Sequence, residues 1–295
     1  MYSLQEVVEA FGDQLPEHII NSLSAPPPEH LSALISQIDC HLIETQRLVV
    51  LQTDDYRRPS SSTLAISRKA QTLKAIVAKE LAAYAAISQS LDRSFPRRVL
   101  QQGQIEPASG LTSALTELDN LRYGLTEAGI LDPEAEDALP PIEQTNSAIA
   151  AVLSVYVEDT RKKLDVLASL REKILLFKEL IDGRFFPKYV VVDKDVGFIV
   201  NRSPTFDVPL EKLSSGEQHQ LVLFFELLFE LKKNSLILID EPELSLHVAW
   251  QKQFISDLKR IIELNEFDVL LATHSPQLIG EWEDLVVEIG NVDCQ

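Results

Sequence analysis

Leu236-Ile237-Leu238-Ile239-Asp240-Glu241-Pro242 is an unbroken apolar strand that ends in two adjacent carboxylates and a proline. A second apolar strand fills residues 267–273. Between them Phe254, Leu258, Ile261 and Ile262 recur at i, i+4, i+7 and i+8, one face of an α-helix. Strand, amphipathic helix, strand predicts a βαβ unit. Strands apolar without alternation suit a parallel sheet covered on both faces.

In an open parallel sheet, ligands collect beyond the carboxyl ends of the strands. The polar residues fall there: Asp240 and Glu241 after one strand, Thr273-His274-Ser275-Pro276 after the other. If the strands are neighbours, Asp240, Glu241 and His274 share a crevice. One carboxylate can then hold a hydrated Mg²⁺ while the other orients or deprotonates a water. A histidine beside them can hydrogen-bond a terminal phosphate and sense its loss. Taken alone, Asp-Glu-Pro also reads as a strand end and a turn.

Upstream, Leu213-Ser214-Ser215-Gly216-Glu217-Gln218 precedes a segment, residues 217–232, that is apolar nearly all round and so predicts a buried helix. Ser214 with Glu217 and Ser215 with Gln218 both have capping-box spacing. Gly216 lets a ligand approach the backbone, and the free N–H groups of a helix start favour an anion. A merely well-capped helix is the competing reading.

Residues 188–192 and 198–200 are short β-type runs around Asp193-Lys194-Asp195-Val196-Gly197, which predicts a hairpin. The first half is mainly helical. Ile66, Ala70, Leu73, Val77, Leu81, Tyr84 and Leu91 form one stripe, and Leu167, Leu170, Ile174, Phe177 and Ile181 a second with heptad-like rhythm. Two heptads are too few for a long coiled coil, so a short helical hairpin or arm is expected. Loops are marked at residues 25–28, 58–62 and 132–141.

The 295 residues are 45% hydrophobic and 24% charged, the balance of an ordinary soluble chain. The longest apolar stretch is interrupted by Glu226 and Glu230, so no membrane span is expected. The start lacks the pattern of a signal peptide, and a cytoplasmic location follows as the expectation. Cys40 and Cys294 have no disulfide or metal-ligand pattern. A formal net charge of −18 argues against binding nucleic acid through the overall field. Basic residues do gather at Arg161, Lys162, Lys163, Arg171, Lys173, Lys178, Arg184 and Lys188. A solvated helix face is the first reading of that cluster; a DNA, RNA or partner contact is the second and weakly supported one.

Three segments together resemble a family. Leu213-Ser214-Ser215-Gly216-Glu217 resembles the ABC signature loop in the form used by structural-maintenance-of-chromosomes relatives. Residues 236–242 resemble Walker B, and Ala272-Thr273-His274-Ser275-Pro276 resembles the switch-histidine segment, in matching order and separation. Glu243-Leu244-Ser245-Leu246-His247 looks like the D-loop of ATPases related to the OLD (overcoming lysogenisation defect) family and to ATPase subunits of antiphage systems such as Septu and some retrons. The resemblance implies an α/β fold: the C-terminal lobe of an ABC-type P-loop NTPase head with a parallel sheet core, preceded by a largely helical arm. It would divide the chain into residues 1–50, head remnant and entry to the arm; 51–186, arm; and 187–295, C-terminal lobe.

By the same resemblance ATP and Mg²⁺ are the cofactors. Asp240 would hold Mg²⁺ through water, Glu241 would be the general base, and His274 would contact the γ-phosphate. Ser214, Ser215, Gly216 and Glu217 would form the loop facing ATP held by a second ATPase head, with Ser214 and Gly216 reaching its γ-phosphate. His247 would lie near that dimer interface. Gln46 compares with a Q-loop glutamine, although its surroundings favour a structural role. A dimer or higher oligomer that controls a nuclease in antiviral defence or DNA processing is the expectation. A non-catalytic interaction scaffold and a transporter ATPase subunit are the alternatives.

No G-x-x-x-x-G-K-[ST] occurs, and no glycine is followed by lysine. A P-loop supplies the N–H cradle, the phosphate-binding lysine and a hydroxyl for Mg²⁺. In the family it precedes the arm, so it is expected upstream of Met1 or on another polypeptide, with a degenerate module as the third option. This chain alone is then expected to be inactive.

Overall fold

A computed structural model describes residues 38–43, 49–50, 63–101, 108–133 and 147–288. Gln46, Cys294, the loops at 25–28 and 58–62, and most of the loop at 132–141 lie outside the described residues.

Three strands, β1 (Cys40–Ile43), β7 (Leu236–Asp240) and β8 (Asp268–Ala272), form a parallel sheet in the order β1-β7-β8. The register pairs Ile43 with Ile239, Ile239 with Leu271 and Asp240 with Ala272. The crossover helix α6 (Val248–Asn265) joins β7 to β8 and buries Phe254, Leu258 and Ile261, the stripe its spacing predicts. Ile43, Ile237 and Ile239 are buried in the same core. The opposite face is open among the described residues. Leu42 is 47% exposed and Leu270 64% exposed, whereas unbroken apolar strands predict cover on both sides.

Strands β2 (Val49–Val50) and β3 (Thr63–Leu64) pair antiparallel and lead into α1 (Ala65–Gln101). At 1.5 Å per residue this helix of 37 residues is about 55 Å long. Only its first turns, through Ile66, Ala70, Leu73 and Val77, are buried. They pack on the sheet described next and on the helix Ser215–Phe225, while the remainder lies against α3 (Ser147–Asp165). Helix α2 (Ala108–Glu127) packs on α3. Arg98 pairs with the buried Asp159, and Lys163 with Asp92 at 2.7 Å, across α1 and α3.

The heptad-like stripe lies on α4 (Ala168–Phe185), with Leu167 as its N-cap. It makes no described coiled-coil seam; it enters the hydrophobic core. Phe177 meets Phe198, Phe225 and Phe229 edge-on at centroid separations of 5.8, 6.2 and 5.8 Å. Phe198 belongs to β5 (Gly197–Ser203), which pairs antiparallel with β4 (Tyr189–Asp193) and β6 (Phe206–Val208). The expected hairpin is therefore present, with Asp193 opposite Gly197. Gly197 is at φ +103, and a Cβ there would lie 1.9 Å from the Ala70 carbonyl oxygen. A tight turn and close passage of α1 both require glycine.

The buried segment predicted over 217–232 divides in two. Helix α5 (Ser215–Phe225) continues into a π-helical turn, Glu226–Glu230. Its residues Leu221 to Phe225 are fully enclosed, as an all-apolar surface requires.

Most of the gathered basic residues are engaged within the chain. Arg161 pairs with Glu117, Lys162 with Glu158, Arg184 with Asp257 and Lys188 with Glu217. Lys178 donates to the Glu127 carbonyl at 2.6 Å. The cluster stitches helices together rather than presenting one solvated face.

Candidate functional site

Asp240 closes β7 and is exposed, level with Ala272 on the neighbouring strand. The next residue, Glu241, takes a left-handed backbone (φ 42, ψ 53). For a side chain larger than glycine this costs about 1–2 kcal/mol and persists only where the surroundings impose it. Two neighbours impose it here. The Glu241 N–H donates to the Ala272 carbonyl at 2.9 Å, and Pro242 starts the 3₁₀ turn Pro242–Ser245. The half-buried Glu241 is thereby placed immediately beyond the ladder, next to Asp240.

Thr273-His274-Ser275 leaves the end of β8 and leads into the short helix α7 (Pro276–Ile279). His274 is exposed. Its N–H donates to Glu243 Oε1 at 2.9 Å, and the Thr273 hydroxyl donates to the same oxygen at 2.7 Å. Ser275 donates its N–H to Thr273 Oγ1 at 3.0 Å and its hydroxyl to Gln251 Oε1 at 2.9 Å. Asp240, Glu241 and His274 thus stand at the carboxyl ends of two adjacent strands, as the sequence requires for one crevice. Glu243, Thr273 and Gln251, which brace the loop carrying His274, had no warning in the sequence beyond polar residues near the two strand ends.

His247 is the exposed N-cap of α6. Its Nδ1 accepts from the Ala249 N–H at 3.3 Å, and its ring lies 5.4 Å from Trp250.

At the start of α5 the capping box forms on Ser214 and Glu217. The Ser214 N–H and hydroxyl both donate to Glu217 Oε2 at 2.9 Å, and the Glu217 N–H donates back to Ser214 Oγ at 3.4 Å. The alternative pairing of Ser215 with Gln218 does not form. Gln218 is buried and donates to the Leu210 and Leu213 carbonyls at 3.1 Å each, fastening the 3₁₀ turn Leu210–Lys212. Burial pushes the Glu217 carboxyl up, but the Lys188 ammonium and the two Ser214 donors outweigh it and hold the pKa below the usual carboxylate value. Ser214 and Ser215 are exposed. A Cβ on Gly216 would meet nothing within 4 Å among the described residues, so none of them demands glycine there. Helix α5 also packs against the Pro242–Ser245 turn.

Among the described residues no three His, Cys, Asp or Glu side chains converge as a metal cage. A magnesium ion brought with a nucleotide needs only one or two carboxylates, its other ligands being phosphate oxygens and water. The exposed carboxylate of Asp240, at the end of β7, has the chemistry for that limited role.

The family model of the AAA ATPase domain matches residues 16–279. The chain belongs to this AAA ATPase domain family. Membership implies ATP binding, usually with Mg²⁺, and the mixed α/β architecture with its parallel sheet is compatible with a P-loop NTPase-like fold. This AAA ATPase domain is also weakly similar to ABC-type ATPases. It is 28% identical over 133 residues to the zinc import ATP-binding protein ZnuC of Pseudomonas fluorescens (strain Pf0-1), covering 45% of this chain and 48% of that protein. It is 27% identical over 133 residues to the ZnuC of Pseudomonas syringae pv. syringae (strain B728a), with the same shares. The chain spans about half the length of the curated relatives it matches. No described helix is long and apolar enough to cross a membrane.

Proposed function

We propose that this chain is the C-terminal portion of an ABC-type ATP-hydrolysing switch related to the OLD-like and antiphage ATPases, working as a head-to-tail dimer. The observation that supports it most is the register of β7 and β8. Pairing Asp240 with Ala272 sets two carboxylates and a histidine at one mouth of a parallel sheet. Asp240 holds the hydrated Mg²⁺, whose charge offsets that of the phosphates. Glu241 takes the proton of the attacking water, and His274 contacts the γ-phosphate. Ser214, Ser215 and Gly216 of one head face the ATP of the other; an exposed, capped loop whose glycine has open space fits a surface met from outside. Glu217 serves that loop by holding Ser214. The P-loop comes from polypeptide outside these 295 residues. Strand β8 pairs on one side only among the described residues, which leaves its other edge open to another strand. Residues 1–50, 51–186 and 187–295 are head remnant, arm and C-terminal lobe.

The output is control of an effector such as a nuclease in the cytoplasm, a reading that rests on the family resemblance. In the ATP-hydrolysing protein containing this chain, Glu241→Gln abolishes turnover and accumulates an ATP-bound dimer on size-exclusion chromatography with light scattering. Unchanged turnover removes Glu241 as the base. The zinc-import names of the relatives favour a second reading, a transporter subunit. Co-purification with a membrane permease would select it.

A further inference from the structure

Glu243, His247 and Gln251 follow one another at intervals of four residues, and the outer two grip the loop that carries His274. Glu243 Oε1 accepts from the Thr273 hydroxyl at 2.7 Å and from the His274 N–H at 2.9 Å. Gln251 Oε1 accepts from the Ser275 hydroxyl at 2.9 Å, while its amide nitrogen donates to the Glu243 and Leu246 carbonyls at 3.4 Å. Both ends of a three-residue loop with no regular structure are thereby tied to the segment around His247. Two donors on one carboxylate oxygen make charge-assisted bonds, roughly twice as strong as neutral ones. Among the described residues the second oxygen, Oε2, is buried without a hydrogen-bond partner, a desolvation cost that a plain turn has no need to carry.

We propose that Glu243 and Gln251 are positioning residues that lock the backbone of His274 to the segment around His247 and so set the reach of the His274 ring. This rests on the proposed role of His274. The clasp holds the main chain of His274 and not its ring, so its loss displaces the contact without removing it. A displacement of about 1 Å at a reacting centre lowers turnover by up to about a hundredfold.

Two readouts test it. In this chain, amide hydrogen exchange at His274 accelerates at least about tenfold in Glu243→Ala and stays near wild type in Glu243→Gln, whose amide oxygen still accepts both bonds. In the ATP-hydrolysing protein, Glu243→Ala lowers kcat by about tenfold to a hundredfold with KM little changed, and Glu243→Gln restores most of it. Should Glu243→Ala fail to fold, Thr273→Val removes the hydroxyl at nearly constant volume and gives the same kcat loss, with Thr273→Ser restoring it.

Glu241→Gln is the control that separates the two ideas. If it abolishes turnover while Glu243→Ala and Thr273→Val keep wild-type kcat, the clasp is overturned and the ATPase reading stands. If Glu243→Gln is as slow as Glu243→Ala, the hydrogen-bond account is overturned. If Glu241→Gln itself turns over normally, the ATPase reading fails, whatever Glu243 does.

Discussion

The amide of Glu241 and the carbonyl of Ala272 are joined by a hydrogen bond of 2.9 Å, one step beyond the last paired residues of β7 and β8. The bond extends the ladder into a residue whose backbone is left-handed, so the sheet itself holds Glu241 in a conformation it would not choose.

That strain is measurable. Glu241→Gly relieves a penalty of about 1–2 kcal/mol and gives back about 0.4–1 kcal/mol through the greater freedom of the unfolded chain. A net gain of about 0.5–1 kcal/mol in urea unfolding is expected, together with complete loss of turnover in the ATP-hydrolysing protein. A clear loss of stability would mean that the Glu241 side chain packs favourably, and that the strain is not kept for function.

The two glycines Gly216 and Gly197 give opposite expectations. At Gly216 a methyl group meets nothing within 4 Å, and the site is in the first turn of α5. Gly216→Ala should leave stability unchanged or raise it by a few tenths of a kcal/mol, roughly, while impairing ATP turnover that needs a second head. At Gly197 the methyl would overlap the Ala70 carbonyl at a φ of +103. Gly197→Ala should cost about 2–4 kcal/mol. Thermal melts beside turnover assays separate the two; equal destabilisation would remove the case that Gly216 serves a surface met from outside.

Where information was local, the residues announced the structure. Strands β7 and β8 are apolar without alternation, the α6 stripe has helical spacing, and Gly197 closes a hairpin. Strand β1 gave no such notice. It is four residues long, only Ile43 is buried, and its place depends on pairing with a strand far away in the sequence, Cys40 lying opposite Leu236. The choice between Ser214–Glu217 and Ser215–Gln218 was equally hidden, because the carbonyls of Leu210 and Leu213 decide it by drawing Gln218 inward. The end of α5 in a π-turn follows no local pattern either. At the site, Asp240, Glu241 and His274 were legible as strand ends. The bracing Glu243 was not, since its partners Thr273 and His274 lie thirty residues on.

The cap of α5 carries a pH dependence with a definite sign. The Glu217 pKa is held below its ordinary value in the folded chain, so its contribution is present above the unfolded value of about 4.3 and is lost as pH falls through the folded value. Glu217→Gln keeps the spacing of the capping box but cannot pair with Lys188. At pH 7 it should cost about 1 kcal/mol, the pair being partly solvent-screened, and the gap between variant and wild type should narrow as pH falls below the unfolded value of about 4.3. Urea titrations from pH 7 down into the acid range check this. A gap that is the same at every pH would assign the effect to packing instead of charge.

Arg184 and Asp257 join α4 to the crossover helix α6 through an ion pair that is nearly enclosed, with side-chain exposures of 5% and 13%. The guanidinium also donates to the Leu180 carbonyl at 2.6 Å and lies 5.0 Å from the centre of the Phe224 ring. Desolvating two charges opposes their attraction, so the pair as a whole adds little net stability. Removing one partner is different, because the other is left charged and buried. Asp257→Ala should therefore cost about 3–5 kcal/mol, whereas the double variant Arg184→Met/Asp257→Leu should recover most of that loss. The two residues are in contact, so their effects should be coupled rather than additive. A double-mutant cycle by urea unfolding measures the coupling. Additive losses would show that each side chain acts through separate contacts, Arg184 through Leu180 and Phe224, and that the ion pair does not hold α4 against α6.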